Sequence, residues 1–144
     1  MRGAARASAS AVRASTTGES GAGKTETSKH VMRYLTARAA GASPLSAAVL
    51  ESAVVTEAFG NAKTTRNKNS SRFGRYVLMQ FNDAHQVVGA EIRTFLLERS
   101  RVVSPPEGEA NYHVFYALTS GCEPSEASAL GLMAEDKYPM LPEG

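Results

Sequence analysis

The chain has 144 residues, a formal net charge of +2 and one cysteine, Cys122. That is the length of one domain, with room for a real core. The balance gives no global pull toward nucleic acid or a membrane surface, a lone cysteine excludes an internal disulfide and fits a reducing compartment, and no apolar run is long enough to span a bilayer.

Charge is unevenly placed. Residues 1–17 hold three arginines and no acid, so the rest carries 13 basic against 14 acidic residues, or −1. The Ala-, Ser- and Arg-rich composition of 1–17 can mark an organelle transit peptide. The reading adopted is a disordered or wrongly joined leader. A phosphate-binding loop normally follows a buried parallel strand, a continuous run of Val, Ile and Leu. In 11–17 only Val12 is a strand-forming apolar residue, so the supporting strand is expected to be degraded or absent.

Next comes Gly18-Glu19-Ser20-Gly21-Ala22-Gly23-Lys24-Thr25, which fits the phosphate-loop pattern. The glycines allow positive φ and close approach of backbone to a ligand. Successive N–H groups then form an anion nest, and a helix starting near Gly23 adds its positive end. In this pattern Lys24 reaches the β- and γ-phosphates and the Thr25 hydroxyl ligates Mg²⁺.

Residues 25–39 are predicted helical, with Val31, Tyr34 and Leu35 on one face and Met32 beside them. Ser43-Pro44 reads as an N-cap and first helical position. A second helix then runs from 44 to 59, with Leu45, Val49, Ser52 and Phe59 near one stripe. His30 is read as a surface side chain. Residues 61–75 hold five basic residues, no acid and many amide and hydroxyl groups. Such a loop could wrap a phosphate chain, although alone it reads as a solvated basic loop.

From Arg75 to Phe81 the pattern alternates, with Val77, Met79 and Phe81 on one side. Turn residues follow at 82–85. A second strand runs over 86–97 with Val88, Ala90, Ile92 and Leu96 on one face, completing a β-hairpin at 75–97. Residues 109–120 are predicted helical, with Tyr112, Phe115 and Tyr116 as an aromatic stripe of core type. The tail carries no clear pattern.

These stretches together carry a resemblance. GESGAGKT followed by TETSKHVMRYL is similar to the nucleotide-binding loop of the myosin motor family. AFGNAKTTRNKNSSRFGRYV resembles its switch I region, and FLLERSRVV and NYHVFYAL resemble the segments that follow. The likeness covers 18–118 well and the tail weakly. Kinesins share a related loop and a Ser-Ser-Arg element, but Phe73-Gly74 after the arginine separates this chain from them.

The resemblance implies an α/β P-loop NTPase fragment, with helices flanking a partial sheet and an antiparallel hairpin. Its parts are a leader (1–17) and a partial motor domain (18–144) holding the P-loop (18–25), switch I (61–75) and the hairpin. It implies ATP and Mg²⁺ as ligands, with Gly18, Glu19, Ser20, Gly21, Ala22, Gly23, Lys24 and Thr25 around the phosphates. Asn67 and Asn69 join them there. Thr25 and Ser71 ligate the metal, Ser70 lies beside the attacking water, and Arg72 pairs with a glutamate of switch II. The parent is implied to be an actin-activated ATPase of the cytoplasm and cytoskeleton. Its partner is the actin filament, held by parts outside this chain, with no nucleic acid and no direct membrane binding.

Departures shape what is expected of this polypeptide. It contains no Asp-x-x-Gly-Phe-Glu-like switch II segment, so Arg72 is expected to have no glutamate partner in this chain and turnover by the chain alone is not expected. It is read as a piece of a motor head, by natural truncation or incomplete gene modelling. Two alternatives stand beside that reading: a non-catalytic remnant with weak or no nucleotide binding, and another P-loop NTPase such as a kinase or small GTPase. With neighbouring strands weak or missing, Val77, Met79, Phe81 and Ile92 are expected to be partly uncovered, making the isolated chain prone to aggregate or bind ANS.

Overall fold

A computed structural model describes residues 10–12, 14, 16, 19, 21–39, 44–133 and 138–142. The elements in order are β1 (Ser10–Val12), α1 (Lys24–Arg38), α2 (Pro44–Gly60), β2 (Asn61–Ala62), β3 (Ser70–Ser71), β4 (Gly74–Phe81), β5 (Val87–Phe95), α3 (Ser100–Val103), α4 (His113–Gly121) and α5 (Pro124–Leu130). Two small sheets result, one ordered β1-β4-β5 and one of β2 with β3. The chain is thus a mixture of helix and antiparallel strand. It divides into two compact units. One takes in β1, α1, α2 as far as Ala53, and the hairpin from Arg75 to Thr94; the other takes in α2 from Val54 through to Gly74 and the described residues from Phe95 on, with Glu19 and Gly21.

In the first unit the core is Met79, Phe81 and Val87, with Leu35 and Ala39 of the α1 segment, Leu45 of α2 and Val77 packed against it. Alternation along β4 places Met79 and Phe81 on the same side. The expectation that they lie uncovered is corrected, since both are buried. On β5 the core residue is Val87, while Val88, on the opposite face with Ala90 and Ile92 by alternation, is 52% exposed. The turn explains the phase. Gln86 donates its N–H to the Asn82 Oδ1 (2.8 Å), Asn82 N–H bonds the Gln86 carbonyl (3.1 Å), and His85 takes a left-handed φ of 57°. This local closure sets which residue of β5 first meets the core, independently of side-chain hydrophobicity. On α1 the buried residue is Met32, whereas Tyr34 is 63% exposed.

The segment read as a leader holds a strand. Ser10, Ala11 and Val12 pair antiparallel with Phe81, Gln80 and Met79 of β4. A strand in front of the glycine loop is therefore present, though short and solvent-facing on all three residues. Residues 1–9, 13, 15 and 17 of that segment lie outside the described residues.

The second unit is framed on the residues after α2. Asn61 and Ala62 pair antiparallel with Ser71 and Ser70 on one side. On the other, Ala62 bridges Tyr112, and Ala110 donates its N–H to the Lys63 carbonyl (3.0 Å). This accounts for the helix expected over 109–120 beginning only at His113. Residues 110–112 are committed to an extended pairing, and the Asn111 Oδ1 accepts the Tyr112 N–H (2.8 Å) in place of a helical carbonyl. The strand expected to reach residue 97 ends at Phe95 because Leu96 turns into the left-handed region, at φ 54°.

Candidate functional site

The glycine-rich loop runs into α1. Gly21 and Gly23 both hold φ near 83°, a conformation that favours glycine, and a Cβ at either would meet nothing within 4 Å. Gly23 is the N-cap of α1, and Lys24 and Thr25 are the first two residues of the helix. The helix has 15 residues, enough for a developed positive end. Behind it, the Ser28 Oγ donates to the Lys24 carbonyl (3.0 Å) and lies 3.2 Å from the Thr16 Oγ1, tying the first turn to the segment after β1. Lys24 and Thr25 are half-buried, while Glu19, Gly21, Ala22 and Gly23 are exposed. Gly18 and Ser20 lie outside the described residues.

The basic loop is built differently, as a set of short turns rather than an open coil. Thr64 and Asn67 exchange backbone hydrogen bonds (2.8 and 3.3 Å). The Asn67 Oδ1 then accepts the Asn69 N–H (2.9 Å). The Asn69 amide is a hub: its Oδ1 accepts from Asn61 Nδ2 (2.9 Å) and lies 3.1 Å from His113 Nε2, while its Nδ2 donates to Glu57 Oε2 (3.4 Å). Burial pushes the His113 imidazole below its ordinary range, with Glu57 pulling weakly the other way. Ser70 is buried and Ser71 half-buried on β3.

Arg72 differs from expectation. A glutamate partner for it exists in this chain: its Nε donates to Glu98 Oε2 at 2.6 Å. Its Nη1 also donates to Ser70 Oγ at 3.4 Å. Glu98 is shared with Arg101, whose Nε and Nη2 reach the same carboxylate at 2.9 and 3.4 Å. Arg101 further bonds Glu109 Oε2 (2.7 Å) and the Ala110 carbonyl (3.0 Å). Burial alone would lift the Glu98 carboxyl, but the hydrogen bonds from Arg72 and Arg101 outweigh it and hold it below the usual carboxylate range. The Glu109 carboxyl is held low chiefly by Arg101. Sequence reasoning missed this network. Its one local signal was the Glu98–Arg101 spacing of three, which puts the pair within reach around a single helical turn.

The chain is built of helices and antiparallel strands, with a left-handed glycine pair opening its first long helix. The sequence profile of the family "Myosin head (motor domain)" matches residues 9–144, and the chain belongs to that family. The match takes in the tail and starts ahead of the glycine loop, wider at both ends than the segments that first carried the likeness. The chain is 49% identical over 124 residues to Myosin-1 of Arabidopsis thaliana, covering 86% of the chain and 10% of that protein. It is 48% identical over 127 residues to unconventional myosin heavy chain 6 of Caenorhabditis elegans, covering 88% of the chain and 6% of the relative. With myosin IA heavy chain of Dictyostelium discoideum the identity is 46% over 127 residues, covering 86% and 13%. The chain therefore spans about a tenth of the length of these relatives, as a piece of a myosin-type motor. Among the described residues no helix is long and apolar enough to cross a membrane.

Proposed function

We propose that the chain is the nucleotide-binding portion of an actin-based motor and that its glycine-rich loop binds the phosphates of Mg-ATP. The observation that carries this is the pair of left-handed glycines, Gly21 and Gly23, with open space at both Cβ positions, directly before Lys24 and Thr25 on a 15-residue helix. That cradle fits a polyphosphate. Backbone N–H groups and the helix dipole favour an anion, and Lys24 adds a positive charge. In this reading residues 18–25 surround the phosphates, with Asn67 and Asn69 contributing from switch I. By resemblance to the family, the hydroxyls of Thr25 and Ser71 would hold Mg²⁺, which would neutralise phosphate charge. Ser70 and Arg72 serve the water and its surroundings. The whole motor would work on actin filaments in the cytoplasm and cytoskeleton.

Binding and turnover separate in this polypeptide. The groups that hold phosphate are adjacent in sequence, whereas the 144 residues contain no switch II-like segment to fix the water. The proposed behaviour is weak Mg-ATP binding without actin-stimulated hydrolysis. The test is fluorescent-nucleotide binding and phosphate release by the purified chain, with and without filamentous actin. A charge-assisted hydrogen bond contributes about 1.5–3 kcal/mol, so Lys24→Ala is expected to weaken binding about ten- to a hundredfold. Equal binding by the variant would sink the phosphate-loop assignment. Actin stimulation lost in Lys24→Ala would show turnover after all.

A further inference from the structure

Arg72 is gripped by both backbone and side chain. Its N–H donates to the Gly60 carbonyl (2.8 Å) and its carbonyl accepts the Glu98 N–H (3.1 Å). Its guanidinium meets Glu98 Oε2 on one side and Ser70 Oγ on the other. The Glu98 carboxylate is in turn pinned by Arg101, whose side chain is buried and anchored to Glu109 and to the Ala110 carbonyl. The Tyr112 hydroxyl fixes the Glu98 backbone by donating to its carbonyl (2.8 Å). Glu98 is thus held by both its carboxylate and its backbone, and Arg72 is the member of the network that belongs to the basic loop.

We infer that Glu98 is a positioning residue: it sets the orientation of Arg72 before any ligand arrives, and through Arg72 it sets the polarity of Ser70. A guanidinium has no acceptor, so Nη1 must donate to the Ser70 oxygen. The Ser70 proton then points away from Arg72, which makes the hydroxyl a donor toward an anionic oxygen or a water. The ligand class, a polyphosphate oxygen or its attendant water, rests on the nucleotide-binding reading; the arrangement of Arg72 and Ser70 does not.

The test uses the 144-residue chain without nucleotide, with ¹⁵N-labelled arginine. The Arg72 Nε–H, assigned by its loss in Arg72→Lys, is expected to exchange slowly with solvent. In Glu98→Gln it should exchange about tenfold faster or more, the scale of a lost charge-assisted bond, and in Glu98→Asp by an intermediate amount. Circular dichroism checks that the fold is kept. Should Glu98→Gln fail to fold, Arg72→Gln leaves Arg101, Glu98 and Glu109 together. It is then expected to speed amide exchange at Ser70 and Ser71 about tenfold, with the Arg101 Nε–H unchanged. An Arg72 Nε–H already exchanging freely in the unmodified chain overturns the inference. So do folded Glu98→Gln with the Arg72 signal unmoved, and Arg72→Gln with Ser70 and Ser71 unmoved. Lys24→Ala distinguishes the two ideas: it should weaken Mg-ATP binding about ten- to a hundredfold while leaving the Arg72 signal in place. Binding undiminished in Lys24→Ala defeats the nucleotide reading and leaves Glu98 to be judged on exchange alone.

Discussion

Arg101→Met is the sharpest probe of what holds the second unit together. Arg101 has 1% of its side chain exposed. Methionine keeps much of the aliphatic stem's packing but none of its donors. The Glu98 and Glu109 carboxylates lose a shared cation, and the Ala110 carbonyl loses its Nη1 donor. Removing one partner of a buried ion pair costs about 3–5 kcal/mol. The lower end applies here, because Glu98 keeps Arg72 and Glu109 keeps the Thr65 N–H. The orphaned carbonyl of buried Ala110 alone accounts for about 1–3 kcal/mol. With a urea slope of about 1–3 kcal/mol per molar, a loss near 3 kcal/mol lowers the unfolding midpoint by about 1–3 M. Pulse proteolysis in urea measures this at concentrations low enough to limit association. Arg93→Ala, which breaks only the exposed Arg93–Glu91 pair, is the control and should leave the midpoint in place. A drop of less than about 1 kcal/mol for Arg101→Met would show that the network is solvated rather than structural.

Gly60→Ala should destabilise by about 1–3 kcal/mol, because the added Cβ would run into Cδ1 and Cε1 of the Phe73 ring. Gly89→Ala, whose Cβ would meet chiefly the end of the flexible Gln80 side chain, should cost far less, and equal urea midpoints for the two would contradict this. Leu96→Asn should stabilise by about 0.5–1 kcal/mol, since Leu96 holds φ 54° with its side chain 92% exposed and asparagine tolerates the left-handed region better; a lowered thermal midpoint would count against it. The Glu98 and Glu109 carboxyls sit below their ordinary range in the folded chain. Their contribution is therefore whole above the unfolded value of about 4.3 and is lost as pH falls through the lower folded values. The His113 imidazole is lowered too, so stability should begin to fall below about pH 6.5, and His113→Asn should remove that upper limb from a stability–pH profile while keeping the acid limb.

Much of the local structure was legible in the sequence. The Gly23–Lys24 helix start, Pro44 at the head of α2 and the hairpin after Gly74 all follow from propensity and periodicity within a few residues. What was not legible depended on distant partners. Ser10–Val12 is too short and polar to announce a strand, and it exists through pairing with 79–81 of β4. Residues 110–112 have helix-compatible side chains but are held extended by 62–63. Phe59 fits the apolar stripe of α2 by spacing, yet it is 60% exposed. In the loop, Asn67 and Asn69 were legible as polar groups of the right type. The capping of the Asn69 N–H by Asn67 and the pairing of Arg72 with Glu98 were not, the latter because 26 residues separate the two.

The frame around Ala62 also bears on how the second unit is made. Asn61 and Ser71 are close in sequence, so they can meet within about 10–100 ns of chain motion. A ladder of two residue pairs is too short to persist unaided. It is locked only when Tyr112 reaches Ala62 from 50 positions away, a closure that is slower and entropically dearer. During synthesis at about 5–20 residues per second, the basic loop would therefore leave the ribosome several seconds before the segment that secures it. Over that interval Phe59, Phe95 and Leu97, exposed even in the finished fold, are open to chaperones. Ribosome-bound chains stopped after 90 and after 140 residues have emerged should differ in protease resistance at 61–75, with protection only in the longer; protection in both would mean the loop orders itself.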